Sequence, residues 1–96
     1  MRYRVAQVGI GARGKIHADA FLQLTERFEL VGLCDVDRPR LEEYAQRRGL
    51  ARERLFDDAE RLLQATRPDV FCFVTQPDVR LAMVQLAARY GGCNPV

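Results

Sequence analysis

The feature that most constrains this chain is a glycine-rich turn that joins a predicted strand to a predicted helix near its start. Residues 3–9 have the apolar composition of a buried strand, and the turn Gly9-Ile10-Gly11-Ala12-Arg13-Gly14 follows it. A helix is predicted from about residue 11 to residue 25, because apolar residues recur there at helical spacing. Its expected inward face consists of Ile16, Ala20 and Leu24, with Phe21 beside them.

Strand and helix patterns continue to alternate along the rest of the chain. Further strands are predicted at residues 28–35, 55–56 and 69–74, and helices at residues 37–49, 57–67 and 77–90, with Asp37 and Asp57 as N-caps. The longer strands are apolar throughout, which is typical of parallel strands buried on both faces. With right-handed crossovers, four βα units predict an α/β fold: a Rossmann-like, doubly wound parallel sheet of strand order 3-2-1-4.

The length of 96 residues suits one domain. We expect an incomplete dinucleotide-binding domain at residues 1–90, an irregular tail at residues 91–96 and no substrate domain. The predicted strand order leaves the fourth strand at an open edge, and its segment Val70–Val74 contains no charge. Because such edges pair with other chains, the sequence predicts self-association through this strand.

Charge and cysteine usage argue against several classes of protein. The 15 basic and 13 acidic residues are interspersed, whereas a nucleic-acid-binding protein usually has a one-sided basic surface, so no nucleic-acid partner is expected. No segment has the apolar length of a membrane span or a signal peptide, so no membrane partner is expected. Cys34, Cys72 and Cys93 lack the spacing of a zinc site, and no metal is expected. Two of the cysteines lie in apolar runs, which favours buried thiols and a cytoplasmic location.

The spacing of the glycines predicts a phosphate-binding turn. The motif G-x-G-x-x-G follows a strand, opens a helix, and is followed about twenty positions later by Asp35 at the end of the next strand. In this interpretation Gly9 permits the tight turn, Gly11 allows close approach of a pyrophosphate, and Gly14 allows the helix to pack on the strand. Asp35 would accept hydrogen bonds from a ribose. A glycine-rich turn of another α/β protein and an S-adenosylmethionine-binding domain are the alternatives.

The choice between NAD and NADP depends on charges near the end of the second strand. Asp35 favours NAD, because a carboxylate repels a 2′-phosphate. Arg13, Arg38 and Arg40 could instead attract that phosphate or simply be solvated. We expect NAD as the cofactor, with NADP as the alternative.

Two further segments are candidates for the same site. Thr75 and Gln76 follow the fourth strand, at the sheet edge where ligands of open α/β sheets bind, although ordinary turn chemistry explains them equally well. His17 lies on the first helix, where a single histidine is more often a packing or surface residue than a catalyst. The predicted cofactor-binding residues are Gly9, Ile10, Gly11, Ala12, Arg13, Gly14, Asp35, Arg38, Thr75 and Gln76.

Four segments, residues 8–18, 30–37, 67–70 and 75–78, together resemble the Gfo/Idh/MocA family of glucose–fructose oxidoreductase and inositol dehydrogenase-like enzymes. The resemblance runs from about residue 3 to residue 90. It implies an N-terminal Rossmann domain that binds NAD(P) and a larger α+β domain, with oxidation or reduction of sugars and cyclitols. It also implies that Gly9, Gly11, Gly14, Asp35 and Thr75 occupy cofactor-binding positions.

The sequence departs from the family pattern near its end. Gln76 stands where the family usually has proline, and Arg80 stands where a histidine is common. The Glu-Lys-Pro segment, whose lysine serves the family's catalytic centre, is absent, and we assign no catalytic residue. We therefore expect a shortened oxidoreductase that binds cofactor without turnover. The alternatives are a non-catalytic nucleotide-binding or protein-interaction module and a relic without a ligand.

Overall fold

The computed structural model describes residues 2–74, 77–90 and 94–95. Five strands form one parallel sheet: β1 (Tyr3–Val8), β2 (Phe28–Cys34), β3 (Leu55–Phe56), β4 (Val70–Phe73) and β5 (Asn94–Pro95). Four helices connect them: α1 (Ala12–Gln23), α2 (Arg38–Arg48), α3 (Ala59–Thr66) and α4 (Pro77–Arg89). A short 3-10 helix, Arg52–Arg54, precedes β3.

The order of the strands is β3-β2-β1-β4-β5. The predicted fold class and the predicted order 3-2-1-4 are confirmed, and β1 lies at the centre of the sheet. In the register of the central pairs, Val8 lies opposite Cys34 on β2 and Phe73 on β4. The carboxyl ends of these three strands therefore meet at one edge of the sheet, where the glycine-rich turn begins.

The end of the chain differs from the expectation of an irregular tail. Asn94 pairs with Val70 and the next residue pairs with Phe71, so β5 covers the first half of β4. Pro95 fits this outermost position because an edge strand needs no donor on its free side. The open edge was predicted to run over Val70–Val74. Within β4, Val70 and Phe71 are paired with β5, and Cys72 and Phe73 extend beyond the described pairs.

Helices cover both faces of the sheet, and each face has its own apolar cluster. On one face α1 and α2 pack over β1 and β2, with Leu33 and Leu41 almost fully buried. On the other face α3 and α4 pack over β1 and β4, with Leu62 and Phe71 completely buried. This two-sided burial explains why the central strands are apolar throughout.

The two described cysteines, Cys34 and Cys72, are free and buried, as predicted. Burial raises the pKa of Cys34 to about 12, with the carboxylates of Asp58 and Asp35 adding to the effect. Burial also raises the pKa of Cys72. Both side chains therefore act as small apolar residues at neutral pH rather than as reactive thiolates.

Helix α1 presents a different face to the sheet from the one that its apolar residues predicted. Ile16 and Leu24 are 68% and 50% exposed, whereas Gly14 and Ala18 are buried. The predicted inward face was wrong. Gly14 packs against the backbone of Gly9, a contact that only glycine allows, and in this orientation of the helix Ile16 faces outward.

The N-termini of α2 and α3 are capped by aspartate side chains. Asp37 accepts a hydrogen bond from the Arg40 N–H at 3.2 Å, as predicted. In α3 the cap is Asp58, which accepts from the Glu60 N–H at 3.4 Å, so the prediction of Asp57 was wrong by one residue. The short strand β3 ends at Phe56, which leaves Asp57 as a connecting residue before the cap.

Candidate functional site

The glycine-rich turn leaves the end of β1 and enters α1 through backbone contacts that exclude side chains. Gly9 has φ +100°, in the left-handed region that favours glycine, and a Cβ there would collide with the carbonyl oxygen of Val74. A Cβ at Gly14 would collide with the carbonyl oxygen of Gly9. The turn therefore needs glycine at its first and last positions, for steric reasons internal to the chain.

Gly11 differs from these two glycines. It is the N-cap of α1, with extended backbone, and a Cβ built there would meet nothing within 4 Å. No side chain caps this helix, and its first turn contains no acidic residue. The helix's own hydrogen bonding begins with the Lys15 N–H, which donates to the Gly11 carbonyl at 2.9 Å. The positive end of the α1 dipole is therefore offset neither by a capping side chain nor by an acidic residue, and the space beside Gly11 is open.

Asp35 lies at the carboxyl end of β2, beside this turn, and is only 6% exposed. Its Oδ2 accepts a hydrogen bond from the Ile10 N–H at 2.8 Å, and its Oδ1 accepts one from the Asp37 N–H at 2.9 Å. Burial acts to raise the pKa of Asp35, but these two N–H groups and the Arg40 guanidinium outweigh it and hold the pKa below its ordinary value. Asp35 is therefore a carboxylate at neutral pH and ties the turn to the end of β2.

The three arginines near this carboxylate have different environments. Arg40 Nη2 lies 3.4 Å and 3.2 Å from the two oxygens of Asp35, and the guanidinium also approaches Asp37 at 3.8 Å. Arg38 pairs instead with Glu42 at 3.2 Å, and Arg13 is exposed. With two backbone N–H groups and Arg40 bound, the roughly four acceptor positions of the Asp35 carboxylate are filled. A ribose hydroxyl that binds Asp35 must therefore displace Arg40, whose side chain is 43% exposed.

Gln7 was not predicted as a site residue, although its side chain binds the glycine-rich turn. Gln7 is the next-to-last residue of β1 with 0% exposure, and its Nε2 donates to the carbonyls of Gly9 at 2.9 Å and Gly14 at 2.7 Å. The available signal was a single polar residue inside the otherwise apolar run Val5-Ala6-Gln7-Val8. A buried polar group in such a strand needs a hydrogen-bond partner, and the adjacent turn supplies two.

The remaining predicted residues are only partly placed. Ile10 is buried in the turn, whereas Ala12 is exposed, as is His17 on α1. Thr75 and Gln76 lie outside the described residues. Val74, which precedes them, donates its N–H to the Val8 carbonyl at 2.8 Å, so the chain leaves β4 beside the glycine-rich turn.

Two other kinds of feature are absent from the part of the chain that the structure describes. It contains no group of three or more histidine, cysteine, aspartate or glutamate side chains that could hold a metal ion. None of its helices combines the length and apolar character needed to cross a bilayer.

A comparison with models of known protein families identifies the family of this chain. The GFO_IDH_MocA model, an oxidoreductase family with an NAD-binding Rossmann fold, matches residues 3–92. The chain belongs to this family. The resemblance inferred from the sequence is confirmed, and in Gfo/Idh/MocA proteins this domain is the NAD-binding one.

Individual relatives agree with this assignment. D-apiose dehydrogenase from Paraburkholderia graminis is 33% identical over 90 residues, which cover 94% of this chain and 23% of the relative. Myo-inositol 2-dehydrogenase from Lactobacillus plantarum superimposes with a TM-score of 0.87 at 22% identity, over 99% of this chain and 27% of the other. Scyllo-inositol dehydrogenase from Lactobacillus casei, solved with NAD(H) and scyllo-inositol, gives a TM-score of 0.87 at 21% identity, with the same two coverages of 99% and 27%. These structures establish the fold, and the chain spans about a quarter of the length of the relatives it matches.

Proposed function

We propose that this chain binds NAD(H) across the glycine-rich turn, as the cofactor-binding part of an oxidoreductase that transfers hydride to or from a sugar or cyclitol. The observation that carries the proposal is the N-terminus of α1, which has no capping side chain and no acidic residue in its first turn. Such a helix end binds anions through its N–H groups and its dipole. The open space beside Gly11 gives a pyrophosphate access to them.

The adenosine half of the cofactor would lie towards Asp35. In this proposal the ribose hydroxyls replace Arg40 on the carboxylate, and the ionised carboxylate favours NAD over NADP. Arg40 supports NADP as the second candidate, because the guanidinium released from Asp35 would lie near a 2′-phosphate. We propose NAD as the principal cofactor, since Asp35 is buried and held in place by two backbone N–H groups, whereas the Arg40 side chain is 43% exposed.

The nicotinamide half would lie near the segment that follows β4. We assign Thr75 to it on the basis of the family pattern, and Gln76 because it follows Thr75 at the edge of the sheet where ligands of open α/β sheets bind. When bound, the nicotinamide supplies the hydride-transfer chemistry. The sequence contains no Glu-Lys-Pro, and its one lysine, Lys15, is an exposed residue of α1. We therefore propose that the 96-residue chain by itself binds cofactor without turnover.

Calorimetric titration tests the proposal with four ligands: NADH, NADPH, ADP-ribose and S-adenosylmethionine. We expect NADH and ADP-ribose to bind with similar affinity, because the described site contacts the half of the cofactor that they share, and S-adenosylmethionine not to bind. Absence of heat with millimolar NADH would refute cofactor binding. Formation of NADH from NAD with myo-inositol or D-apiose, the compounds named in the relatives, would refute the absence of turnover.

We also propose weak self-association through the part of β4 that extends beyond β5. Cys72 and Phe73 are apolar and lie near the sheet edge, although β5 makes the free edge shorter than the sequence suggested. Light scattering over a range of concentrations tests this, and a monodisperse monomer at high concentration would contradict it.

A further inference from the structure

Gln7 is a completely buried polar residue on the central strand β1, at a position where the fold does not require a polar side chain. Its backbone pairs with Leu33 on β2 and Cys72 on β4, and both are apolar positions of the buried sheet. An apolar side chain would fit this environment without any hydrogen bond. The reason for a glutamine therefore lies in what its side chain contacts, which is the turn between β1 and α1.

The hydrogen bonds of Gln7 determine the orientation of its amide. Both neighbours of the terminal group, at 2.9 Å and 2.7 Å, are carbonyl oxygens, of Gly9 and Gly14 respectively, so the nitrogen must face them. The two N–H donors of this nitrogen are then both used. Oε1 is buried and has no hydrogen-bond partner among the described residues, which is costly. The chain thus retains an unfavourable buried oxygen together with two bonds to the turn.

The two carbonyls belong to opposite ends of the turn. Gly9 is its first residue, with φ +100°, and Gly14 is its last, already inside α1. A single nitrogen bound to both fixes the separation of the two ends. The N–H groups of Ala12, Arg13 and Gly14 lie between or at these ends, so their directions depend on the same separation.

We propose that Gln7 is a positioning residue for the phosphate-binding turn: its amide holds Gly9 and Gly14 at a fixed separation, so that the N–H groups at the start of α1 are arranged for a pyrophosphate before it binds. Gln7 does not touch the cofactor and acts through the two carbonyls. The inference rests on the proposed binding of NAD(H). Prior ordering raises affinity because less freedom is lost when the ligand binds.

The test compares Gln7→Met with Thr66→Val in the 96-residue chain. Gln7→Met removes both donors at similar volume. Thr66→Val removes a different buried bond, from Thr66 Oγ1 to the Leu62 carbonyl at 2.7 Å, on the opposite face of the sheet. We expect both variants to unfold at lower temperature. Only Gln7→Met should raise the dissociation constant for NADH, by about 10-fold, because only it frees the turn. Gln7→Leu serves as a second variant where Gln7→Met folds poorly.

Amide hydrogen exchange of the ligand-free chain gives a readout that is independent of cofactor binding. The amides of the turn that are hydrogen-bonded, and so protected, are those of Gly9, Ile10 and Lys15. We expect these three amides to exchange about 10-fold faster in the Gln7 variants than in Thr66→Val, because the turn opens more often once its two ends are no longer joined. If the wild-type chain binds no NADH, the proposed function fails and exchange alone decides the role of Gln7. Equal exchange in the two kinds of variant, or equal dissociation constants for NADH, would overturn the inference.

Discussion

Helices α1 and α2 begin in opposite ways, although both start just after the carboxyl end of a central strand. The N-terminus of α2 is closed by the side chain of Asp37 and carries proline in its first turn. The N-terminus of α1 begins at Gly11, with neither a capping side chain nor an acidic residue. Capping by Asp37 contributes stability and occupies one of the free N–H groups of α2, that of Arg40. Leaving α1 uncapped sacrifices that stability and keeps its N–H groups available for an anion.

The contrast is between helix N-termini capped by the chain's own aspartate side chains and one N-terminus that is left uncapped, where the proposed ligand would bind. Three of the four helices have described N-caps, and only at α1 does a glycine replace a capping aspartate. The same end is held by groups outside the helix, namely Gln7 from β1 and Asp35 from β2. The turn is thus rigid without being capped, which is the combination that a preorganised anion site requires.

The largest effect is expected when α1 is made to resemble α2. In Gly11→Asp the new side chain has space and would cap the helix, since no atom lies within 4 Å of the added Cβ. We expect the ligand-free chain to gain about 0.5 kcal/mol of stability, because aspartate caps a helix only slightly better than glycine and adds a negative charge at the positive end of the dipole. Affinity for NADH should fall by about 100-fold, because a carboxylate takes the place of the pyrophosphate. Denaturant unfolding and calorimetry measure the two effects, and a variant that is more stable yet binds NADH normally would show that the turn is not the phosphate site.

A second prediction concerns how the body of α1 is attached to α2. The Tyr44 hydroxyl donates to Asp19 at 2.6 Å, and Arg48 binds the same carboxylate at 2.8 Å and 3.0 Å. Burial and the bond to Asp19 raise the pKa of Tyr44 from 10.0 to about 12. Between these values the folded chain keeps a proton that the unfolded chain has lost, so stability should fall as pH rises through this window, by about 2 kcal/mol.

Denaturant unfolding between pH 9 and pH 12 measures this dependence, and Tyr44→Phe should make it shallower. Part of the fall should remain, because burial also raises the pKa values of Cys34 and Cys72. Tyr90→Phe is the matched control, since the Tyr90 hydroxyl donates to Glu60 at 2.9 Å on the other face of the sheet. If unfolding free energy fell equally steeply with pH in Tyr44→Phe and in the wild type, the proposed contribution of the Tyr44–Asp19 bond would be contradicted.

A third prediction reverses the comparison by opening α2. Asp37→Ala removes the bond to the Arg40 N–H, which should cost about 1 kcal/mol of unfolding free energy. The dissociation constant for NADH should change less than about 2-fold, because Asp37 closes a helix end outside the phosphate site. Asp58→Ala at α3 is the control, because it removes a cap in the same way and the Asp58 side chain bonds to the Glu60 N–H of its own helix. A large loss of NADH affinity in Asp37→Ala alone would mean that the two helix ends are not functionally separate.

The smallest effect is expected from the arginine that lies between the two helix ends. Arg40→Gln removes the guanidinium that contacts Asp35 and would lie near a 2′-phosphate. We expect the dissociation constant for NADPH to rise by about 3-fold and that for NADH to stay the same or fall slightly. Arg47→Gln, which breaks an exposed pair with Glu43 at the far end of α2, is the matched control. A weaker affinity for NADH and an unchanged one for NADPH would reverse the assigned role of Arg40.

Much of the fold follows from the sequence because its signals are local. The glycine-rich turn, the cap at Asp37 and the end of α2 at Gly49, with φ +71°, each depend on a few neighbouring residues. The parallel strand order follows from the alternation of apolar strands and helices, together with right-handed crossovers. Asp35 was identified by its distance from the turn, and its carboxylate indeed reaches the turn through the Ile10 N–H.

Only the tertiary structure decided what depends on contacts between distant segments. Periodicity predicted an inward face of α1 that includes Ile16, whereas in the structure Gly14 packs on Gly9 and Ile16 is exposed. A two-residue strand such as β5 has too little pattern to recognise, and it forms because β4 offers unpaired backbone groups. The sequence by itself determined the order of the first four strands in the sheet and the position of the glycine-rich turn. The tertiary structure decided what holds that turn, since Gln7, Gly14, Asp35 and Arg40 meet only when β1, β2, α1 and α2 pack together.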